Sequence, residues 1–414
     1  RAHISRGLVH VALHDFESAI ADYTAAIALQ ADHAGAYNNR GLARQAAGDL
    51  EGAIADYDQA LALNPSYVTA YHSRGDAWRA QGDLEAAIAD LDRAIALSPH
   101  YAPAYGSRGL ARRAAGDLAE ALADLTEAVA RYPEDAAHAS ERALAYAHRG
   151  LICYDQGDLE AALVDYGRAI DLDARCATAY YQRGIARSDM GDLRAALEDF
   201  DRAIELEPRN VAAYNSRALT RSDLGDLEGA LADYSEVLVL NPEDAAAYNN
   251  RGLARFDLGE IGGALEDLAR AIELDPGYAV AYNNLGLVQV ALGNLEEAAA
   301  SFGRAIDLVP HDPTAFYNRG LARAQQGDHE GAIADYSQVL KANPKDAPAY
   351  AQRGRIRFDA GDVAGAIDDY AQALALDPDD ALTYHSRGLA RSSQGDDEGA
   401  LVDFDRALSL LAAQ

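Results

Sequence analysis

One phrase recurs along the chain at a fixed interval: an aromatic residue, two mostly polar ones, Arg, then a small residue. The small position is held by Gly7, Gly41, Gly75 and Gly109, and then by Gly150, Gly184, Ala218, Gly252, Gly286, Gly320, Gly354 and Gly388. The step is 34 residues, except for 41 between Gly109 and Gly150. A period of this size signals stacked supersecondary units, none of which can bury its apolar face alone. Twelve such units and a seven-residue insertion, less one N-terminal position, account for all 414 residues. The expected division is repeats 1–4 over 1–135, an insertion at 136–142, and repeats 5–12 over 143–414. The expected product is a long binding surface with no separate catalytic domain.

Residues 34–67 serve as the pattern unit. Small and apolar residues recur there at steps of three and four in two blocks, the mark of two amphipathic helices. The first helix is expected from Ala34 to Ala47. Gly48 ends it by accepting a left-handed conformation. Asp49 is placed to cap the second helix, and Glu51 suits its positive end. That helix is expected from Leu50 to Leu63, where Asn64-Pro65 breaks it.

The unit resembles the tetratricopeptide repeat family. The matching residues are Tyr37 at repeat position 4, Gly41 at 8, Gly48-Asp49 at 15–16, Ala53 at 20, Tyr57 at 24, Ala60 at 27 and Pro65 at 32. Tyr248, Gly252, Gly259, Ala264, Leu268, Ala271 and Pro276 repeat the order. The resemblance spans the chain. It implies an all-α, right-handed superhelix of about twelve helix-turn-helix repeats, with first helices lining the concave side, and a non-catalytic protein-interaction scaffold. Two other roles stay open: a substrate-recruiting or regulatory arm of a larger multidomain enzyme, and a self-assembling module.

The chain departs from the family at two positions where a leucine-like and a large residue are usual. Position 7 is Arg in eleven units and position 23 is Asp in the same eleven, including Arg40 with Asp56, Arg217 with Asp233, and Arg251 with Asp267. In the ninth unit Leu285 and Ser301 replace both members together. Joint loss predicts an ion pair between the two helices of each hairpin, since a guanidinium can meet a carboxylate through two parallel hydrogen bonds. Position 11 is Arg in eight units and His10, Trp78, Cys153 or Gln289 elsewhere. Because it varies alone, it is left out of the expected pair.

Candidate ligand contacts lie on the first helices, where positions 2, 5, 9 and 12 are expected to face the concavity, with 6 at its edge. Asparagines cluster at 5 and 6: Asn38, Asn39, Asn215, Asn249, Asn250, Asn283, Asn284 and Asn318. Amides offer both donors and an acceptor, so a row such as Asn250, Asn284 and Asn318 could hold a peptide backbone. The row is similar, in part, to the asparagine ladder of O-linked N-acetylglucosamine transferases. Tyr181 and Tyr317 add aromatic surface. The basic clamp for chaperone tails, with Lys at position 5 and Asn at 9, is absent from these positions.

The net charge of −30 disfavours a phosphate backbone as ligand. The expected partner is a protein or peptide, with no nucleic acid and no membrane insertion. No cofactor is expected. His3, His10 and His14 share one helix face, but no carboxylate stands at a familiar metal spacing, so no metal is expected there. Cys153 and Cys176 are too few for a disulfide framework, which suits a cytoplasmic setting. The insertion lacks Gly and Pro, and seven residues make nearly two helical turns, so an extended first helix in the fifth unit is expected. The sequence opens one residue into a repeat without Met and closes at a repeat end. That predicts a fragment of a longer protein, with self-association through uncapped ends as the alternative.

Overall fold

The computed structural model describes residues 1–412. Among them are 24 α-helices and one short 3-10 turn, with no strand. Tertiary contacts separate two compact units, 1–220 and 221–414.

Both units are built from the same hairpin. In the second repeat the first helix is Ala34–Ala46 and the second is Leu50–Leu63. Gly48 joins them at φ +87°, and glycines recur in the left-handed region at this place in eleven repeats. In the first repeat His14 takes the position at φ 57°. Asp49 then accepts a hydrogen bond from the Gly52 amide at 2.9 Å, satisfying one of the donors that a helix start leaves free.

Within a hairpin the small residue at position 8 is set by the large residue at position 24, an aromatic in most repeats and a leucine in the third, fourth and eighth. A Cβ added to Gly41 would lie 2.6 Å from the Tyr57 ring, and one added to Gly184 would lie 2.6 Å from Phe200. Successive hairpins join through alanines. Ala53, Ile54 and Tyr57 form one cluster with Ala77 of the next repeat, and Ala60 and Leu61 form another with Ala70. The core is thus a chain of small clusters, each shared by two neighbours, rather than one central mass.

The expected extension of the fifth repeat's first helix is found over 139–142 but not over 136–138. Ala136–His138 form a 3-10 turn, and the long first helix of the fifth repeat starts at Ala139 and runs to Asp155. The reason is local. Asp135 accepts from the His138 amide at 3.0 Å and lies 2.7 Å from its Nδ1, which tightens the first turn. Stacking continues through this point, because Leu118–Arg131 packs on Ala139–Asp155.

Candidate functional site

Within each unit most successive first helices touch one another. In 1–220, Ala34–Ala46 meets Val68–Gln81, which meets Ala102–Ala115, which meets Ala139–Asp155, which meets Ala177–Asp189. In 221–412, Ala245–Asp257 meets Ala279–Ala291, which meets Pro313–Gln326, and Ala347–Asp359 meets Ala381–Ser393. No two successive second helices pack to that extent. First helices therefore converge and second helices splay, which makes the first-helix side the inner curve of each unit.

A charge cluster links the two helices in every hairpin but the ninth. Arg40 donates to Asp56 from Nε at 2.9 Å and from Nη2 at 2.6 Å. Arg251 does the same to Asp267 at 2.8 and 2.7 Å, and Arg319 to Asp335 at 3.0 and 2.7 Å. The carboxylates are buried: Asp56 is 2% exposed and Asp267 3%. Hydrogen bonding to Asp56 raises the Arg40 pKa above its ordinary value. Position 11, left out of the sequence expectation, meets the same carboxylate. Arg44 Nη1 donates to Asp56 Oδ2 at 2.9 Å, Arg255 to Asp267 at 2.8 Å, and Arg221 to Asp233 at 2.7 Å. In the eight repeats with Arg at position 11 the unit is Arg–Asp–Arg; in the first, third and fifth, where His10, Trp78 and Cys153 stand, the pair has no second arginine. In the ninth repeat, where Leu285 and Ser301 stand, the Ser301 hydroxyl donates to Gln289 Oε1 at 2.7 Å. The triad is exchanged there as a whole, for a neutral bond. Gln289 was the legible signal: position 11 changes to an amide only where 7 and 23 have lost their charges.

The position-7 arginine also reaches back to the preceding repeat. Arg353 Nη1 donates to Ser337 at 2.9 Å, Arg40 to Thr24 at 3.1 Å, and Arg217 to Asp201 at 2.6 Å. Its guanidinium rides over the aromatic at position 4, as with Arg40 above Tyr37 at 5.6 Å. One side chain therefore ties two helices of its own hairpin to the second helix before it.

The asparagines divide into two sets. Asn38, Asn249 and Asn284 are buried. Asn284 Nδ2 donates to Asn249 Oδ1 at 2.8 Å, and Asn249 Nδ2 donates to Asn250 Oδ1 at 3.0 Å. Asn318 Nδ2 donates to Asn283 Oδ1 at 2.9 Å. These amides spend donors on links from position 6 of one repeat to position 5 of the repeat before. Asn39, Asn215, Asn250, Asn283 and Asn318 remain half-buried at the first-helix face. Tyr181 lies tilted beside Phe200, and Tyr317 stands edge-on to Tyr336 with centroids 5.4 Å apart. Both are half-buried and anchored from beneath.

At the N-terminal helix, His3 Nδ1 lies 3.0 Å from Asp22 and His10 Nε2 3.7 Å from the same carboxylate. Hydrogen bonds from Arg6 and then His3 hold Asp22 below the usual carboxylate range. His14 instead stands edge-on to Phe16. Among the described residues no group of three or more His, Cys, Asp or Glu could hold a metal ion, and no helix is long and apolar enough to cross a membrane. Cys153 is buried and Cys176 half-buried, and both thiols are free, with burial raising their pKa values. In the twelfth repeat Leu408 is 65% exposed, whereas the equivalent Leu61 and Leu340 are 7% exposed beneath a following repeat.

Tandem hairpins of this kind, sealed by shared alanine clusters, define a helical repeat protein. The chain belongs to the tetratricopeptide repeat family, whose sequence patterns match residues 4–66, 38–102 and 283–347, and residues 150–191, 221–259, 252–293 and 354–395. Further patterns of the family match 177–210, 200–232 and 108–135. No curated protein matches the chain. Among solved structures it is similar to yeast Tom70, at 16% identity over 96% of each chain with a TM-score of 0.44. It is similar to a tetratricopeptide repeat protein from Parabacteroides merdae, at 23% identity over 61% of this chain and 99% of the other, TM-score 0.49. It is also similar to YrrB, described as a TPR protein with an unusual peptide-binding site, at 27% identity over 46% of this chain and 95% of the other, TM-score 0.40.

Proposed function

We propose that this chain is a non-catalytic protein-interaction scaffold that takes an extended peptide or a partner helix along its first-helix face. The observation that carries the reading is the convergence of successive first helices within each unit. It lines up half-buried side chains of different repeats, such as Asn250, Asn283, Asn318 and Tyr317, on one continuous surface. Contacts spread over many such groups suit a segment several residues long better than a compact small molecule. The buried Asn249 and Asn284 act in this reading as supports, not as ligand contacts.

The test is site-specific photo-crosslinking in native extract. A photoreactive residue at Leu253 or Leu321, on first helices, is expected to capture the partner. The same residue at Glu266, exposed on a second helix, is expected to capture none. Equal capture at Glu266, or capture there alone, refutes the assignment of the face.

A further inference from the structure

At an internal junction one repeat offers its second helix, and the next lays its first helix on it. Positions 20 and 24 take position 10 of the next repeat, as Ala19 and Tyr23 take Ala43. Positions 27 and 28 take position 3, as Ala60 and Leu61 take Ala70. The position-7 arginine then reaches back to position 25. Where that position is an aspartate the contact is an ion pair: Arg74 with Asp58 at 2.5 Å, Arg108 with Asp92 at 2.5 Å, and Arg217 with Asp201 at 2.6 Å.

Among the described residues both halves of this junction also stand open, one in the first repeat and one in the twelfth. In the first, Ala2 and Val9 hold positions 3 and 10. Val9 is 57% exposed, whereas Ala43, Ala77 and Ala111 at the same position are buried. Arg6 spends Nε and Nη2 on Asp22, and its side chain is 64% exposed against 14% for Arg40 and Arg108. In the twelfth, Leu401 and Leu408 are exposed where Ile54 and Leu61 are buried. Phe404, Ala407, Leu408 and Leu411 line an apolar hollow there. Asp405 stands exposed at position 25. That position is a carboxylate in four repeats, at Asp58, Asp92, Asp201 and Asp405, and the first three are the ones that meet an arginine.

We infer that two copies of this chain join head to tail, the twelfth repeat of one taking the first repeat of the other as one more repeat junction. Val9 lies on Ala400 and Phe404, Ala2 lies on Ala407 and Leu408, and Arg6 Nη1 donates to Asp405. The fit needs no new surface, because equivalent faces already meet at the internal junctions and the charges at the rim are opposite. A pairing of two twelfth repeats would leave both Asp405 carboxylates without that arginine. The contact is therefore between unlike halves, and each copy keeps one half open for another. It concerns the outer repeats, not the first-helix face, so it is independent of the scaffold reading.

The test is sedimentation velocity of the 414-residue chain over a concentration series. One repeat junction is a small interface, so the mass is expected to rise over about 10 μM to 1 mM. Leu408→Asp and Val9→Asp each put a charge into one half only, at positions open to solvent in the single copy. Each should weaken association by about a hundredfold or more. Asp405→Arg should weaken it about tenfold by setting two cations together. An equimolar mixture of the Leu408→Asp and Val9→Asp chains keeps one intact half of each kind. It should form one-to-one pairs and nothing larger, which also shows that both variants are folded. A parent chain that stays monomeric to about 1 mM overturns the inference. So does association that survives either single variant, since the contact then lies elsewhere or between two like halves. A mixture that stays monomeric while the parent associates overturns it as well.

Discussion

The Arg251–Asp267–Arg255 cluster allows a quantitative test of what these charges do. Asp267 is 3% exposed and receives three hydrogen bonds, from Arg251 at 2.8 and 2.7 Å and from Arg255 at 2.8 Å. Asp267→Ala leaves two guanidinium groups facing each other, 16% and 26% exposed, with their common counter-charge gone. The expected loss is roughly 3–5 kcal/mol, the range for a broken buried pair. Arg251→Leu is milder, since Arg255 still neutralises the carboxylate. Its two bonds to Asp267 and one to Ser235 are lost, but Asp267 keeps a charge-assisted partner, so the cost is expected below that of Asp267→Ala. The ninth repeat supplies the control. Arg251→Leu, Arg255→Gln and Asp267→Ser together reproduce its Leu285, Gln289 and Ser301, with a hydroxyl-to-amide bond in place of the ions. Replacing buried ions by well-packed neutral groups is close to neutral, so the triple variant should stay within about 1–2 kcal/mol of the parent. A repeat array need not unfold in one step, so local amide hydrogen exchange in 245–278 is the suitable assay. Asp267→Ala should speed exchange there by about two to three and a half powers of ten, at 1.4 kcal/mol per decade. A triple variant as damaged as Asp267→Ala would refute the reasoning. So would an Arg251→Leu variant as damaged as Asp267→Ala, because the second arginine would then contribute nothing.

Four further outcomes are expected. Gly41→Ala places a Cβ 2.6 Å from the Tyr57 ring and should cost about 1–3 kcal/mol in the stability of that hairpin, measured by the same exchange. Asp49→Ala removes the cap on the Gly52 amide and should cost about 0.5–2 kcal/mol, seen as fraying of Leu50–Leu63. Asn284→Ala leaves the buried Asn249 Oδ1 without its donor, at about 1–3 kcal/mol, yet should leave crosslinking at Leu253 and Leu321 unchanged. Burial, with the Arg79 and Arg113 charges adding to it, holds the folded His148 pKa at about 4 against an ordinary 6.5, so the unfolded chain binds the proton first. Stability of the surrounding repeats is therefore full above about pH 6.5, falls as pH drops toward 4, and levels off below, for at most about 3 kcal/mol. His148→Gln should remove most of that slope in exchange measured between pH 4 and 7.

The sequence by itself determined the all-α repeat, its helix limits and its shared small-residue seams. Each is a local matter: Gly48 has to turn left-handed, Asp49 has to cap, and the period has to match a hairpin. It also brought Arg40 and Asp56 into view as a pair, because one repeat lost both members together. Tertiary structure alone decided which groups share a partner and which face the solvent. Arg44 joins Asp56 from a turn further along the first helix, a convergence that depends on how two helices cross. Asn249 and Asn284 look identical to Asn250 in the sequence, yet neighbouring first helices bury the first two against each other and leave the third half-covered. A cavity beside Gly106 exists only because three first helices and the inserted Glu141 meet there, residues far apart along the chain whose meeting no local pattern encodes.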